Sequence, residues 1–138
     1  MLSLIAGKVG AGKTKKLVEI ANKDAENCKG SIIFIERGNE LKFDLSHNIR
    51  LVDINKYSIH DFDVLYGFIC GICSDNYDIS EIFVDTVLSV GSENLHEFEV
   101  FVGMIKDISE KRNIKIYMSV SIEFKHLPSF ISREIQKN

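Results

Sequence analysis

The stretch that decides the fold is Leu2-Ser3-Leu4-Ile5-Ala6-Gly7-Lys8-Val9-Gly10-Ala11-Gly12-Lys13-Thr14. Leu2–Ala6 reads as a short buried strand. Gly7–Thr14 then fits G-x-x-x-x-G-K-[ST] in full. Behind it, Leu17, Val18, Ile20 and Ala21 give an apolar side to a helix expected over Lys13–Glu26. Strand, glycine-rich turn and helix in that order make an anion cradle. The glycines let successive N–H groups turn into one concavity, and the helix adds its positive end.

Each position has a chemical reading. Gly7, Lys8, Val9, Gly10, Ala11, Gly12, Lys13 and Thr14 are expected to wrap a triphosphate. Lys13 reaches toward the β- and γ-phosphates, and the Thr14 hydroxyl is suited to Mg²⁺. Lys8 either adds attraction for phosphate or is a solvated lysine. The expected ligands are ATP and Mg²⁺.

Outward from the loop, apolar strands alternate with helical patterns. Strands are expected at Ser31–Ile35, more weakly at Asn48–Ile54, then at Ile82–Asp85 and Asn113–Ser121. Helices are expected at Ser58–Cys73, on the spacing of Phe62, Leu65, Tyr66, Ile69 and Cys73, and at Glu93–Glu110, with Phe98, Phe101, Val102, Ile105 and Ile108 inward. Pro128 suits the first turn of a C-terminal helix over Ser129–Gln136. Near-continuous apolar strands with intervening helices predict a mostly parallel sheet covered on both faces, a three-layer α/β/α fold in one domain over residues 1–138. Ligands of such sheets bind at the carboxyl ends of the strands.

Composition narrows the function. The 138 residues carry a net charge of −3, with 45% hydrophobic and 27% charged residues. That balance argues against a broad nucleic-acid face. No apolar run approaches the roughly 18 residues of a membrane span. Leu2–Ala6 is shorter than the core of about 7 residues in a signal peptide and has no basic start. A cytoplasmic location is expected, with Cys28, Cys70 and Cys73 reduced.

A phosphate loop that binds Mg²⁺ needs a second oxygen ligand, an aspartate ending an apolar strand. Ile82-Phe83-Val84-Asp85 supplies it, and Asp53, in Leu51-Val52-Asp53, is the competitor. With these residues in order, the chain resembles the RecA-like branch of P-loop ATPases, in a small, truncated form, over about 120 residues. SIIFIERGNE is similar to the family's second strand, IFVDTVLSV to its strand-Asp segment, and IYMSVSIE to its γ-phosphate sensor strand. Only the phosphate loop is individually specific.

The resemblance implies the P-loop NTPase fold and an Mg-dependent ATPase. It makes Lys13, Glu36 and Ser121 the catalytic candidates and Thr14 and Asp85 the metal ligands. Glu36 stands about two places before the family's water-activating glutamate, where Gly38 would align; Glu40 is a weaker alternative. Ser119 and Glu123 stand behind Ser121 as sensors. The chain stops before the strands and extensions that usually follow the sensor. With only Arg37, Arg50, Arg112 and Arg133, weak intrinsic hydrolysis is expected, with a homo-oligomer or a protein partner supplying an arginine. A nucleotide-binding switch that hydrolyses little is the alternative. A thymidine-kinase-like phosphotransferase is the minority reading, since Thr86 stands where that arrangement has its glutamate. Cys70-Gly71-Ile72-Cys73 ends a predicted helix and reads as structural. His47, His60, His96 and His126 are too scattered for a metal site.

Overall fold

A computed structural model describes residues 1–87, 94–122 and 135–136. The strands are β1 (Leu2–Ala6), β2 (Ser31–Glu36), β3 (Ile49–Asp53), β4 (Ile79–Val84), β5 (Lys115–Val120) and the two-residue β6 (Ile135–Gln136). They form one sheet in the order β3-β2-β4-β5-β1-β6, and every pairing is parallel. All carboxyl ends therefore share one edge. The connections after β1, β2 and β4 gather there.

The helices are α1 (Lys13–Ala25), α2 (Phe62–Asp75) and α3 (Leu95–Arg112). Their apolar stripes sort them to the two faces. Leu17, Ala21 and Ala25 of α1 share a core with Ile5, Ile32, Phe34, Phe83 and Tyr117. There Phe34, Phe83 and Tyr117 stack across three adjacent strands, with centroids 5.7 and 4.7 Å apart. On the other face, Leu65, Ile69 and Cys73 of α2 and Phe98, Phe101 and Ile105 of α3 cover Leu4, Ile33, Ile82 and Met118. Alternate residues of each strand feed the two cores, which makes three layers. Among the described residues no helix is long and apolar enough to cross a membrane.

Most expected boundaries shift by a few residues, set by caps. The expected helix from Ser58 starts at Phe62, because Asp61 accepts from the Val64 N–H at 2.8 Å. The one expected from Glu93 starts at Leu95, capped by Asn94, which accepts from His96 and Glu97. It runs on to Arg112 and stops at Asn113, whose φ of 53° is left-handed. The expected C-terminal helix over Ser129–Gln136 is corrected at its end. Ile135 and Gln136 pair in parallel with Leu4 and Ile5, because the free edge of β1 offers a ladder of hydrogen bonds that a helix there would leave open. Pro128 and the rest of that expected helix lie outside the described residues.

Candidate functional site

The loop Gly7–Gly12 joins the carboxyl end of β1 to the first turn of α1. The Gly7 N–H donates to the Val120 carbonyl at 3.2 Å, tying the start of the loop to the end of β5. The Ala11 N–H and the Lys13 Nζ both donate to the Lys8 carbonyl, at 3.1 and 2.7 Å, and close the loop into a ring. Gly10 and Gly12 both sit at φ 86°, a left-handed backbone that a side chain disfavours. At Gly7 an added Cβ would meet the Ala11 Cβ at 3.2 Å. Gly12 caps α1 without a side chain, and no acid stands in the first turn. The N–H groups of that turn therefore have no side-chain acceptor of the usual capping kind, and an anion suits them. Lys13 is 6% exposed. Burial pushes its ammonium pKa down, and the Asp85 carboxylate opposes that shift.

Asp85 stands one residue beyond β4, its N–H donating to the Ile35 carbonyl at 2.9 Å. The Thr14 hydroxyl lies 3.0 Å from both Asp85 oxygens, although 71 residues separate the two. β5 lies between β1 and β4 in the sheet, and its Ser119, fully buried, reaches the same carboxylate. Ser119 Oγ donates to Asp85 Oδ1 at 2.7 Å and accepts from the Thr86 N–H. Thr86 has a φ of 54°, an unusual backbone for a β-branched residue, at the turn that follows the acid. Thr14, Asp85 and Ser119 form one hydrogen-bonded group at the carboxyl edge, beside Lys13.

The other sequence candidates fall around this group. Glu36 ends β2, the strand next to β4, and is 6% exposed. One of its oxygens accepts from the Leu41 N–H at 3.2 Å. Its pKa is raised, chiefly by burial and further by the charges of Asp85, Glu40 and Asp53, against the pull of that hydrogen bond. Glu40 is exposed on the loop that follows. Asp53, the competitor for the metal role, serves its own backbone. Its Oδ1 accepts from the Gly38 N–H at 2.7 Å and the Asn55 N–H at 2.9 Å, capping a turn of 3₁₀ helix. Ser121 is half-buried, one residue beyond β5. Glu123 lies outside the described residues. Sequence reasoning ranked Ser119 behind Ser121. The signal for it was a hydroxyl in the otherwise apolar run IYMSV.

Two of the four arginines are committed elsewhere. Arg37 donates to Asn55 Oδ1 at 2.9 Å and to the Ile59 carbonyl at 3.2 Å. Arg112 donates to the Cys73 carbonyl at 2.8 Å and lies over the Tyr77 ring. Arg50 is exposed on β3, the far edge strand, and Arg133 is outside the described residues. Cys70 and Cys73 are free thiols in the last turns of α2. Cys73 is buried, and burial raises its pKa. Among the described residues no group of three or more His, Cys, Asp or Glu is placed to hold a metal. Any ion at Thr14 and Asp85 would need oxygens from a ligand. Mg²⁺ in phosphate sites takes its ligands that way, one or two from protein and the rest from phosphate and water. No protein-family model matches the chain, and no curated protein matches it.

Proposed function

We propose that the chain binds a nucleoside triphosphate, ATP with Mg²⁺, in the loop Gly7–Thr14, and acts as a P-loop ATPase of RecA-like type with weak intrinsic hydrolysis. The observation that carries this reading is the contact between Thr14 and Asp85 at 3.0 Å. Two residues singled out for the same ion, from separate parts of the sequence, meet beside a loop with left-handed glycines and an uncapped helix start. A glycine-rich turn with no ligand has no need of that meeting.

The residues divide the work. The N–H groups of the loop and of the first α1 turn hold phosphate oxygens. Lys13, whose ammonium donates to the Lys8 carbonyl at 2.7 Å, stands at the loop where it would also donate to a phosphate oxygen. Thr14 and Asp85 would hold the ion, and Ser119 keeps the Asp85 carboxylate oriented. Mg²⁺ supplies neutralisation of the charge that spreads over the phosphate oxygens in transfer. Glu36, raised in pKa at the end of the neighbouring strand, is the group able to take a proton from an attacking water. The structure gives one observation for the alternative, a switch that hydrolyses little: the Glu36 carboxylate already holds the Leu41 N–H.

The test is thermal unfolding with ATP and Mg²⁺. A ligand at 100 times its Kd adds about 2.7 kcal/mol. For this size that is roughly 10 °C, at about 2–8 °C per kcal/mol. Lys13→Ala should remove most of the shift. A mutant that shifts as far as wild type would place the site elsewhere.

A further inference from the structure

At the foot of the sheet, opposite the glycine loop and under the last turn of α1, lies a cavity of about 460 Å³. Glu81 of β4 lines it. This carboxyl is 4% exposed, and no N–H or hydroxyl of the protein donates to its Oε1. Buried carboxylate oxygens are rarely left without a donor. Phe83 and Tyr117 belong to the α1-side core, so Glu81 and Lys115, two residues before them, point to that same face. Glu81 and Lys115 are register partners on adjacent strands.

Asp24 of α1 also lines the cavity, and its carboxyl lies within hydrogen-bonding reach of Glu81. Burial, then the hydrogen bond and charge of Asp24, push the Glu81 pKa up to about 8, against the pull of Lys115. The Tyr117 hydroxyl is pushed to about 12 by burial, Asp24 and Glu81. Two carboxyls therefore face each other, and Glu81 keeps its proton where a cation would otherwise sit. Lys23 and Lys115, both exposed, with Asn27 and Asn113, complete the walls.

These charges are arranged for one kind of guest. A hydrogen-bond donor with positive charge satisfies the acid pair, and the carbonyl end of α1 favours it too. Two carboxyls are too few for a bare metal ion, and Cys28, which also lines the cavity, does not complete a set of three metal-holding groups with them. A simple cation would meet the two lysines on its way in, whereas a zwitterion matches both groups. We propose that this cavity binds a small zwitterion, with its ammonium group at Asp24 and Glu81 and its anionic end at Lys23 and Lys115. The volume lies within the range of about 300–1,000 Å³ usual for ligand sites.

The test is a ¹H–¹⁵N titration of the full chain, without nucleotide, using 4-aminobutyrate and 6-aminohexanoate. Butylamine and butyrate are the single-charge controls. At least one zwitterion should move the amides of Ile79–Glu81 and Asn113–Lys115 and bind ten-fold or more tighter than either control. Glu81→Gln should weaken it at least ten-fold. Asp24→Asn, at a half-buried helix position, should do the same and serves if Glu81→Gln does not fold. The proposal is overturned if neither zwitterion moves those amides, if a single-charge control binds as tightly, or if both folded variants keep wild-type affinity.

Discussion

Ser119→Ala removes one oxygen from the centre of the Thr14–Asp85 group. The hydroxyl makes two hydrogen bonds in a fully buried place, donating to Asp85 Oδ1 at 2.7 Å and accepting from the Thr86 N–H. The first involves a charged acceptor and is worth about 1.5–3 kcal/mol; the second is an ordinary bond of about 1 kcal/mol. Relaxation of Asp85 toward Thr14 recovers part of this. The expected loss is about 2–3 kcal/mol, or roughly 10 °C in Tm at about 2–8 °C per kcal/mol. Urea unfolding followed by circular dichroism should show a lower midpoint at constant slope, the mark of a pure stability change. A second readout separates a positioning role from a purely structural one. The stabilisation that ATP gains from added Mg²⁺ should shrink, while the part seen without Mg²⁺ stays. If Ser119→Ala unfolds within about 0.5 kcal/mol of wild type, the range of an unimportant surface change, and responds to Mg²⁺ as wild type does, the hydrogen-bonded group has no functional weight.

The two aspartates should separate. Asp85→Asn should weaken the Mg²⁺-dependent part of ATP binding, because an amide is a poorer partner for a hard cation. Asp53→Asn keeps an acceptor oxygen at the cap, so it should cost little stability and leave the Mg²⁺ response alone; the reverse order in calorimetry would move the metal site to β3. Steady-state turnover by monomeric protein, its state checked by light scattering, should fall below roughly 1 s⁻¹, the low end of the common enzyme range. Several turnovers per second would refute this, and Glu36→Gln would then show whether that acid is the base. Glu81 holds its proton in the folded chain up to about pH 8 but releases it near 4.5 when unfolded. The folded state thus binds more protons between those values, and stability falls as pH rises through that window. Glu81→Gln should remove a slope of up to about 1.4 kcal/mol per pH unit; parallel denaturation curves for the two proteins from pH 5 to 8 would refute the assignment.

The parallel α/β architecture was legible because each signal was local. Runs such as Ser31–Ile35 and Ile82–Val84 are apolar at successive positions, as strands covered on both faces require. The helix stripes of Leu65, Ile69 and Cys73 and of Phe98, Phe101 and Ile105 appear at helical spacing, and both are buried. Helix starts were read early because Asp61 and Asn94 outweigh the apolar period that precedes them. β6 was not legible, since a two-residue strand has no period of its own and forms only because β1 has a free edge. At the site, the loop and Asp85 carry sequence patterns. Ser119 shows itself only through its partners, because which buried serine meets which acid depends on β5 lying between β1 and β4. Glu81 was hidden in the same way. It reads as an ordinary polar residue in Ile79-Ser80-Glu81-Ile82, until Asp24, more than fifty residues earlier, is laid over it.

Binding and turnover ask different things of the carboxyl edge, and the geometry meets them unequally. The proposed binding needs N–H groups, a lysine and an oxygen pair, and Lys13, Thr14 and Asp85 stand around the loop for it. Turnover needs, in addition, a free base beside the attacking water and a positive charge that arrives with the transition state. The nearest base, Glu36, spends one oxygen on the Leu41 N–H, and that bond anchors the connection leading to β3. Freeing it would require the loop from Arg37 onward to shift. Arg37 resists such a shift, since its guanidinium is fastened to Asn55 and Ile59 beyond β3. On the proposed reading, the same loop therefore holds back both Glu36 and Arg37. A partner that drew residues 37–42 aside would release the two together, and rate would then follow assembly rather than nucleotide concentration.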